Sequence, residues 1–314
     1  MNIKPITVSF APAWDITCWA DGVDWGQHPT LTRQTTVPAG KALNVSRAMA
    51  WMGQPNTAMG LWGKADAEWM RQELAELQNT VDLRFTLADG RTRQNVTIID
   101  TRNRREMHLR GISQLATPTA LAQLDSDLKA TVRKNSSVAF CGAMPEDDRL
   151  AMCITIIQNA CKAGAAVAID TSGDAIKKAV ALGGLDVIKP NLDELCELLG
   201  KTVPDEPRAI TAAARTLCDR VRIVLVSRGK NGAIAVMQQQ AFCCAAADER
   251  PAVNTVGCGD YLLAGFLAAD TDDIAGRLAL AVKAAAARAY GLTETHTWLD
   301  VQRQIDVNIE AITV

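Results

Sequence analysis

The stretch 254–268, NTVGCGDYLLAGFLA, combines a tight turn with the start of an apolar helix. Gly257 and Gly259 flank a small residue, and Asp260 precedes a run of leucines and phenylalanine that is typical of a buried helix. A turn of this kind leaves backbone N–H groups at the positive end of a helix dipole, where an anion is favoured. The stretch therefore predicts an anion-binding helix start.

Asp260 has two interpretations at this position. As a packing feature, GCGD is a turn followed by an acid in the first turn of a helix. As a chemical feature, Asp260 accepts a proton from a substrate hydroxyl while the N–H groups hold negative charge on a phosphoryl group in transfer. The second interpretation predicts phosphoryl transfer with Asp260 as the general base.

The composition of the 314-residue chain narrows the class of protein. With 48% hydrophobic and 22% charged residues, the chain is typical of a soluble globular protein with a sizeable core. The net charge of −2 and a pI near 6.0 argue against a nucleic-acid partner. The sequence shows neither a signal peptide nor a long apolar run, so we expect a cytoplasmic protein without a membrane partner.

The nine cysteines and three histidines show no pattern of a metal site. The cysteines are scattered through mostly apolar segments without metal-ligand spacing, which predicts reduced, buried residues. The histidines stand in unrelated surroundings, so a histidine-based mechanism has no support. The sequence also lacks GxxxxGK[ST], HRD and DFG, which excludes P-loop kinases and protein kinases.

From about residue 114 the sequence alternates between apolar strands and helices. The strands are continuously apolar, as in SSVAFCGAMP at 136–145 and VRIVLVSRG at 221–229. This pattern predicts a parallel sheet that is covered by helices on both faces. Ligands of such sheets bind at the carboxyl ends of the strands. The residues predicted at these ends are Gly142, Asp170, Asn191, Ser227 and Gly229.

Two motifs resemble the signatures of the PfkB (ribokinase-like) family of carbohydrate kinases. NTVGCGD resembles the second signature, which is usually written with GAGD. VPAGKALN at 37–44 resembles the first signature, GGKGxNxA, at Gly40, Lys41 and Asn44, and it departs from that signature at Ala39 and Ala42. The resemblance implies that Gly40, Lys41 and Asn44 bind a sugar phosphate.

Two further motifs resemble the branch of this family that acts on sugar phosphates. APAWD at 11–15 is similar to NPAxD, with Ala11 in place of asparagine, and TRQN at 92–95 is similar to TRxN. The resemblance implies that Asp15, Arg93 and Asn95 contact the substrate. Arginine suits this role because its planar fork matches phosphate.

KPNLDEL at 189–195 resembles the family motif KPNxxE. The resemblance implies that Asn191 and Glu194 act on Mg²⁺ and phosphate, often through water. Oxygen ligands are those that Mg²⁺ prefers. Without the resemblance, the spacing of Asn191 and Glu194 is equally typical of a helix cap and its capping-box partner.

VSRGKNGA at 226–233 resembles the family motif SLGxxGA. The resemblance implies that Ser227, Gly229 and Gly232 approach ATP, together with Thr255 in the second signature. Arg228 replaces the common leucine, and its side chain either contacts a nucleotide phosphate or points to solvent.

The resemblance covers essentially the whole chain and implies a fold. This is a ribokinase-like three-layer α/β/α sandwich with a mostly parallel central sheet and a small β-sheet lid. We assign the lid to residues 11–37 and 85–113, with a hairpin turn at 101–104. The core takes residues 1–10, 38–84 and 114–314. Because an exposed sheet has edges and an apolar face to cover, we expect a homodimer that pairs through the lid.

The implied activity is ATP- and Mg²⁺-dependent phosphorylation of a sugar phosphate, with fructose 1-phosphate as the first choice. Asp260 is the implied base, and backbone groups of Gly257, Cys258 and Gly259 hold the developing charge. Tagatose 6-phosphate, fructose 6-phosphate, and unphosphorylated sugars or nucleosides stay open as acceptors. A different class also fits, namely a catalytically weak module that binds sugar phosphate or nucleotide. The retained Asp260 argues against that class, and the replaced motif residues favour it: Ala11, Ala39, Ala42 and Arg228.

Overall fold

Residues 4–248, 250–253 and 255–313 are described by a computed structural model of the chain. They form two sheets. In chain order the strands are β1 (Ile6–Ser9), β2 (Ala13–Ala20), β3 (Leu31–Ala39), β4 (Asn56–Gly63), β5 (Val81–Ala88), β6 (Arg93–Asp100), β7 (Arg105–Leu109), β8 (Ser137–Cys141), β9 (Ala166–Asp170), β10 (Leu185–Ile188), β11 (Val221–Ser227), β12 (Ala233–Val236), β13 (Ala241–Ala246) and β14 (Val307–Ala311).

The helices lie mostly between the strands of the larger sheet. In the part of the chain that the structure describes, none of them is long and apolar enough to cross a membrane. In chain order they are α1 (Lys41–Trp51), α2 (Ala67–Glu73), α3 (Pro118–Thr131), α4 (Arg149–Lys162), α5 (Gly173–Leu182), α6 (Leu192–Leu199), α7 (Pro207–Arg215), α8 (Cys258–Ala268), α9 (Ile274–Ala289) and α10 (Trp298–Gln304).

The large sheet has ten strands in the order β14-β13-β12-β11-β10-β9-β8-β1-β4-β5. Every neighbouring pair from β5 to β11 is parallel, which confirms the predicted mostly parallel sheet. Strands β12 to β14 are added antiparallel. The sequence did not predict this extension, because the turn at 237–240 contains neither glycine nor proline to mark a hairpin.

Helices cover both faces of the large sheet. Along β11, Val224 and Val226 pack in a cluster with α3 to α7, whereas Ile223 and Leu225 pack in a second cluster with α1, α8 and α9. Because successive side chains of a strand point to opposite faces, each strand contributes to both clusters. This arrangement confirms the three-layer α/β/α sandwich.

The small sheet, which we call the lid, has the order β3-β2-β6-β7. Its two central strands, β2 and β6, are parallel, and β3 and β7 pair antiparallel on the outside. The predicted hairpin with its turn at 101–104 is confirmed as β6 and β7. Within the part of the chain that the structure describes, none of the nine cysteines forms a disulfide, and Cys18 is the cysteine that lies in this sheet.

The two faces of the lid differ in chemistry. Asp15 lies opposite Asn95 on the neighbouring strand, so both side chains share one face. Residues one position further along point to the other face, which is largely apolar. Members of that apolar face are Ile16, Cys18, Val96, Ile98, Met107 and Leu109.

The lid is anchored to the core through Trp14 at the start of β2. Its ring stacks on Trp69 with centroids 3.9 Å apart and meets Trp62 edge-on at 5.7 Å. The indole Nε1 donates to the buried carboxylate of Asp66, whose other oxygen accepts from the N–H of Thr92 at 3.0 Å. This end of the lid is therefore fixed, because the carboxylate binds both segments that lead into it.

The boundary between lid and core differs from the predicted one. Strand β5 pairs with β4 up to Ala88, so residues 85–88 belong to the large sheet and not to the lid. Conversely, Pro38 and Ala39 were predicted in the core, but they are the last residues of β3 and belong to the lid. Strand character in the sequence cannot tell which sheet a strand joins. The packing of Phe85 and Leu87 against the Trp62 cluster decides it here.

Candidate active site

Helix α8 begins at the predicted turn. Gly257 has φ +83°, a left-handed conformation that favours glycine. Its carbonyl accepts from the N–H groups of Asp260 at 2.9 Å and Tyr261 at 3.0 Å. The first turn of α8 thus presents the positive end of its dipole toward this loop. Asn254 lies outside the described residues, and Thr255 is exposed in the loop before the helix.

Asp260 lies buried in that first turn, with 5% of its surface exposed. Asn44 Nδ2 donates to its Oδ2 at 2.8 Å. Burial and the nearby Asp170 carboxylate raise the pKa of Asp260 to about 6, against the opposing effects of Asn44, Lys41 and Lys189. At neutral pH the carboxylate is therefore ionised, yet it is more basic than an ordinary aspartate, as a general base requires.

Asp170 at the end of β9 is fully buried between two lysines. Lys41 Nζ lies 2.9 Å from its Oδ1, and Lys189 Nζ lies 3.3 Å from its Oδ2. Burial alone would raise the pKa of Asp170, but the two ammonium groups outweigh it and hold the pKa below its usual value. Burial lowers the pKa of Lys41, and the carboxylates of Asp170 and Asp260 reverse that effect. Asp170 and Lys41 are therefore both charged.

Helix α1 supplies one wall of this centre. It begins after Gly40, whose φ of +119° is a backbone conformation that favours glycine. Lys41 and Asn44 follow on one side of the helix and reach Asp170 and Asp260, respectively. Arg47, one turn further, donates to the carbonyl of Pro38 at 2.7 Å.

The lid contributes a second polar group of side chains. Asn95 Nδ2 donates to Asp15 Oδ1 at 2.8 Å, and the amide oxygen of Asn95 accepts from the N–H of Gly111 at 3.2 Å. Burial lowers the pKa of Arg47, and the groups that oppose this effect are Tyr261 and the Asp15 carboxylate. The hydrogen bond from Arg47 to Pro38 joins α1 to the last residues of β3. Arg47 thus links the lid to the core.

Arg93 binds backbone carbonyls in the structure. Its Nε donates to Pro12 at 3.2 Å, one Nη to Ala11 at 3.0 Å and the other to Gly111 at 3.2 Å. These bonds use three of the five N–H donors of a guanidinium. The remaining two are the donors that a phosphate would use, and contact with phosphate stays a prediction.

Asn191 and Glu194 form the capping box of α6. Asn191 Oδ1 accepts from the N–H of Glu194 at 2.8 Å, and Glu194 Oε2 accepts from the N–H of Asn191 at 2.9 Å. The helix-cap interpretation is therefore confirmed. Oε1 of Glu194 has no part in the capping box, and a single carboxylate oxygen fits Mg²⁺ that keeps most of its waters.

No cluster of three or more His, Cys, Asp or Glu side chains arranged to hold a metal ion occurs within 4–248, 250–253 and 255–313. That Asn191 and Glu194 act on Mg²⁺ through water stays a prediction. Asn191 also forms a bridge to Ser227, whose N–H donates to the carbonyl of Pro190 at 3.0 Å. The ends of β10 and β11 are therefore adjacent.

The turn after β11 contains two glycines, and a different structural reason accounts for each of them. Gly229 has φ +56° and opens the turn Gly229–Asn231. Gly232 packs so closely against β13 that a Cβ would lie 2.0 Å from the carbonyl oxygen of Cys244. Arg228 Nε donates to Asp205 Oδ1 at 2.6 Å, and its side chain is 9% exposed. The interpretation that Arg228 points to solvent is therefore wrong.

Of the predicted residues, the structure thus brings Asn44 against Asp260 and Lys41 against Asp170, while Asp15 and Asn95 bind each other on the lid. Glu194 is near enough to Lys41 for its charge to raise the pKa of that lysine. The sequence motifs assign no role to three residues of this site: Asp170, Lys189 and Arg47. Lys189 stands in KPNLDEL and Asp170 at a predicted strand end, but nothing in the sequence indicates that they meet.

Comparison with known proteins gives a consistent result. The profile of the pfkB family of carbohydrate kinases matches residues 17–294. A 1-phosphofructokinase of Rhodobacter capsulatus is 31% identical over 272 residues, which is 86% of this chain and 85% of that protein. A 1-phosphofructokinase of Xanthomonas campestris is 28% identical over 277 residues, which is 87% of this chain and 86% of that protein. Phosphofructokinase-2 of Escherichia coli, solved with fructose-6-phosphate, has a TM-score of 0.85 at 22% identity over 96% of this chain and 100% of that one.

Proposed function

Because this chain belongs to the PfkB family of carbohydrate kinases, we propose that it transfers the γ-phosphoryl group of ATP to fructose 1-phosphate, giving fructose 1,6-bisphosphate and ADP. The observation that carries the proposal is the buried Asp260 at the start of α8. Its carboxylate is ionised, oriented by Asn44 and more basic than usual. The choice of fructose 1-phosphate is supported by the two 1-phosphofructokinases that are similar over most of the chain.

In the proposed reaction, Asp260 takes the proton of the acceptor hydroxyl. Asn44 occupies Oδ2, which leaves Oδ1 to accept that proton. The hydroxyl oxygen then forms its bond to the γ-phosphorus while the bond to the ADP oxygen breaks. Backbone N–H groups of Gly257, Cys258 and Gly259, at the positive end of α8, stabilise charge on the group in transfer.

The remaining residues bind the two substrates. Asp15 and Asn95 on the lid, with Gly40 and Asn44 on the core, would hold the sugar, and Lys41 and Arg93 would favour its phosphate. Asn191 and Glu194 would hold Mg²⁺ through water, and the ion would neutralise phosphate charge. The same proposal assigns the protein to the cytoplasm, because ATP is its phosphoryl donor. The nucleotide would lie along Ser227, Gly229, Gly232 and Thr255.

We propose further that two copies pair through their lids. The apolar face of the lid includes Met107, which is 45% exposed, and Leu109, which is 50% exposed. Trp25 and Ile112, next to this sheet, are 89% and 86% exposed. Exposed apolar side chains that lie close together mark interaction surfaces.

A binding module without catalysis fits the site less well. Such a protein has no use for a base whose carboxylate is buried beside a second carboxylate, since that arrangement destabilises the folded chain. The replacements Ala11, Ala39 and Ala42 are all small and buried, so none of them places a new group in the site.

The experiment that tests the proposal is a coupled assay of ADP release with Mg·ATP. The acceptors are fructose 1-phosphate, fructose 6-phosphate, tagatose 6-phosphate, fructose, ribose and adenosine. We expect fructose 1-phosphate to give the highest kcat/KM. Asp260→Ala should lower kcat by about a hundredfold or more, with binding of the sugar phosphate largely kept, because the base acts in the transition state.

The matched control is Asp270→Ala, an exposed carboxylate just beyond the other end of α8, which should leave kcat unchanged. Undiminished turnover in Asp260→Ala would contradict the role of the base. Turnover on none of the acceptors, with ATP still bound, would favour the binding-module class instead. A preference for fructose 6-phosphate or tagatose 6-phosphate would keep the kinase and change the acceptor.

A further inference from the structure

The side chain of Asp205 binds both ends of the glycine turn at 228–232, which follows β11. Its Oδ1 accepts a hydrogen bond from Arg228 Nε at 2.6 Å, and its Oδ2 accepts one from Asn231 Nδ2 at 2.9 Å. The backbone carbonyl of Asp205 also accepts from a terminal nitrogen of Arg228 at 3.2 Å. One residue from another part of the chain thus spans the turn.

Asp205 lies in the connection between α6 and α7, which is held in place without this carboxylate. Val203 is buried in the core, and its N–H donates to Cys196 Sγ at 3.2 Å. Pro204 and Pro207 stand on either side of Asp205, and the ring of a proline fixes φ. Asp205 therefore presents its carboxylate from a segment with restricted backbone freedom, and we expect the fold to tolerate the loss of its side chain.

The ion pair between Arg228 and Asp205 places a cation in a largely buried position. The side chain of Arg228 is 9% exposed, whereas that of Asp205 is 41% exposed. The hydrogen bond from Arg228 holds the pKa of Asp205 below its usual value, so the carboxylate is ionised at neutral pH. Removal of one partner of such a pair leaves the other charge uncompensated. We therefore expect Arg228 to leave its position when Asp205 is lost.

Arg228 reaches toward the face of the large sheet that lies away from the proposed base. Helices α6 and α7 cover one face of that sheet, and α8, which carries Asp260, covers the other. The contact with Asp205 therefore fixes the turn rather than a group in the phosphoryl-transfer site. Inside the turn, the N–H of Arg228 donates to the carbonyl of Gly232 at 2.8 Å. The same residue thus joins the backbone of the turn to Asp205.

We propose that Asp205 is a positioning residue for ATP, which acts through Arg228 and Asn231 to hold the turn in the conformation that receives the nucleotide. The inference rests on the proposed function, in which the nucleotide lies along this turn. Gly229, at φ +56°, gives the turn conformational freedom that other residues lack. Because the carboxylate removes that freedom before ATP binds, less entropy is lost on binding.

The first test combines isothermal titration of ATP, with Mg²⁺ and without sugar, with steady-state kinetics. Asp205→Ala should weaken ATP binding by about tenfold, because the turn loses its preorganisation. The KM for the preferred sugar phosphate should change by less than about twofold, since a general loss of structure would affect both substrates. Asp219→Ala, an exposed carboxylate before the other end of β11, should change neither value. Unchanged ATP affinity in Asp205→Ala, or an equal rise in both KM values, would overturn the proposal.

The second test is a double-variant cycle with Arg228. Arg228→Leu removes the same connection and keeps Asp205, so it tests the proposal even if Asp205→Ala does not fold. It should weaken ATP binding by about threefold to tenfold, and the double variant should bind ATP at most about twofold more weakly than Asp205→Ala. Effects that multiply would overturn the link between the two residues.

The two proposals fail in different ways. If the wild type binds ATP and turns over none of the acceptors, the proposed kinase activity fails, whereas the ATP titrations still decide the role of Asp205. If the wild type turns over an acceptor and the variants bind ATP as it does, the role of Asp205 fails alone. A wild type that does not bind ATP would overturn both.

Discussion

Asp260 illustrates how one side chain combines two demands that oppose each other. Burial beside Asp170 makes its carboxylate a better base, and the same burial makes the ionised form costly. Asn44 and two nearby lysines limit that cost, so that the carboxylate is still ionised at neutral pH. The availability of this carboxylate as a base therefore depends on pH.

We predict that kcat/KM rises with pH through a transition near 6. The pKa of Asp260 is raised to about 6, so below this pH the carboxylate is protonated and cannot accept the hydroxyl proton, and above it the base is available. A pH profile with saturating Mg·ATP measures this, after correction for the titration of the sugar phosphate itself. The residual activity of Asp260→Asn should lack the transition. A wild-type profile that is flat between about 5 and 7.5 would contradict the assignment.

Sequence alone predicted Asp260 because turn, helix and acid are adjacent in the chain. It could not predict that Asp170 holds two lysines, because Lys41 and Asp170 are 129 residues apart and meet only through the strand order. Nor could it show that the Lys41 ammonium group pairs with Asp170, and the role of Lys41 toward the sugar phosphate stays a prediction. Pairing across such distances is decided by topology, which no local pattern contains.

At α6, the two interpretations of KPNLDEL describe the same two side chains. Asn191 and Glu194 cap the helix, and the oxygen of Glu194 outside the capping box is the one proposed to face Mg²⁺. Mutation to alanine would confound these roles, because it removes the cap and the charge together. A variant that keeps the cap separates them.

We predict that Glu194→Gln keeps the stability of the protein and weakens its use of Mg²⁺. Glutamine can still accept the capping hydrogen bond, so the melting temperature should change by less than about 2 °C. The lost charge should raise the Mg²⁺ concentration at half-maximal activity by about tenfold or more, measured at fixed ATP. Asp300→Asn in the Thr297–Asp300 capping box of α10 is the matched control, and should leave the Mg²⁺ dependence unchanged. If Glu194→Gln behaves in the same way as that control, the residue is a helix cap only.

Elements with a strong internal pattern were predicted well. The alternation of strands and helices from 114 onward and the lid hairpin appear as expected. The antiparallel strands β12 to β14 and the end of β5 were not predicted, because short apolar runs such as AIAV at 233–236 fit either a strand or a helix. Their partners, and not their own residues, decide where they lie.

The molecule as a whole presents the lid as a sheet with two different faces. The polar face carries Asp15 and Asn95, and the apolar face carries the side chains that we propose to bury in a dimer. Because successive side chains of a strand alternate between the two faces, one strand provides residues to mutate on the apolar face and control residues on the polar face.

We predict that charge on the apolar face of β7 separates the dimer. Met107→Lys with Leu109→Lys should give a monomer by size-exclusion chromatography with light scattering, because lysine ammonium groups would have to be buried at the interface. His108→Lys, on the opposite face of the same strand, should leave the wild-type mass unchanged. A wild type that is already a monomer, or a double-lysine variant with the mass of the wild type, would contradict pairing through this surface.

The strand order of the large sheet also has a consequence for synthesis on the ribosome. From β8 to β14, each strand lies beside the one that precedes it in the chain, so a growing chain can add strands to one open edge in the order in which they emerge. Helix α8 emerges only after β13, and Asp260 then meets Asn44, which was made 216 residues earlier. A nascent chain therefore has its lid and most of its sheet before it has the proposed base, and we expect it to consume ATP only after α8 has emerged.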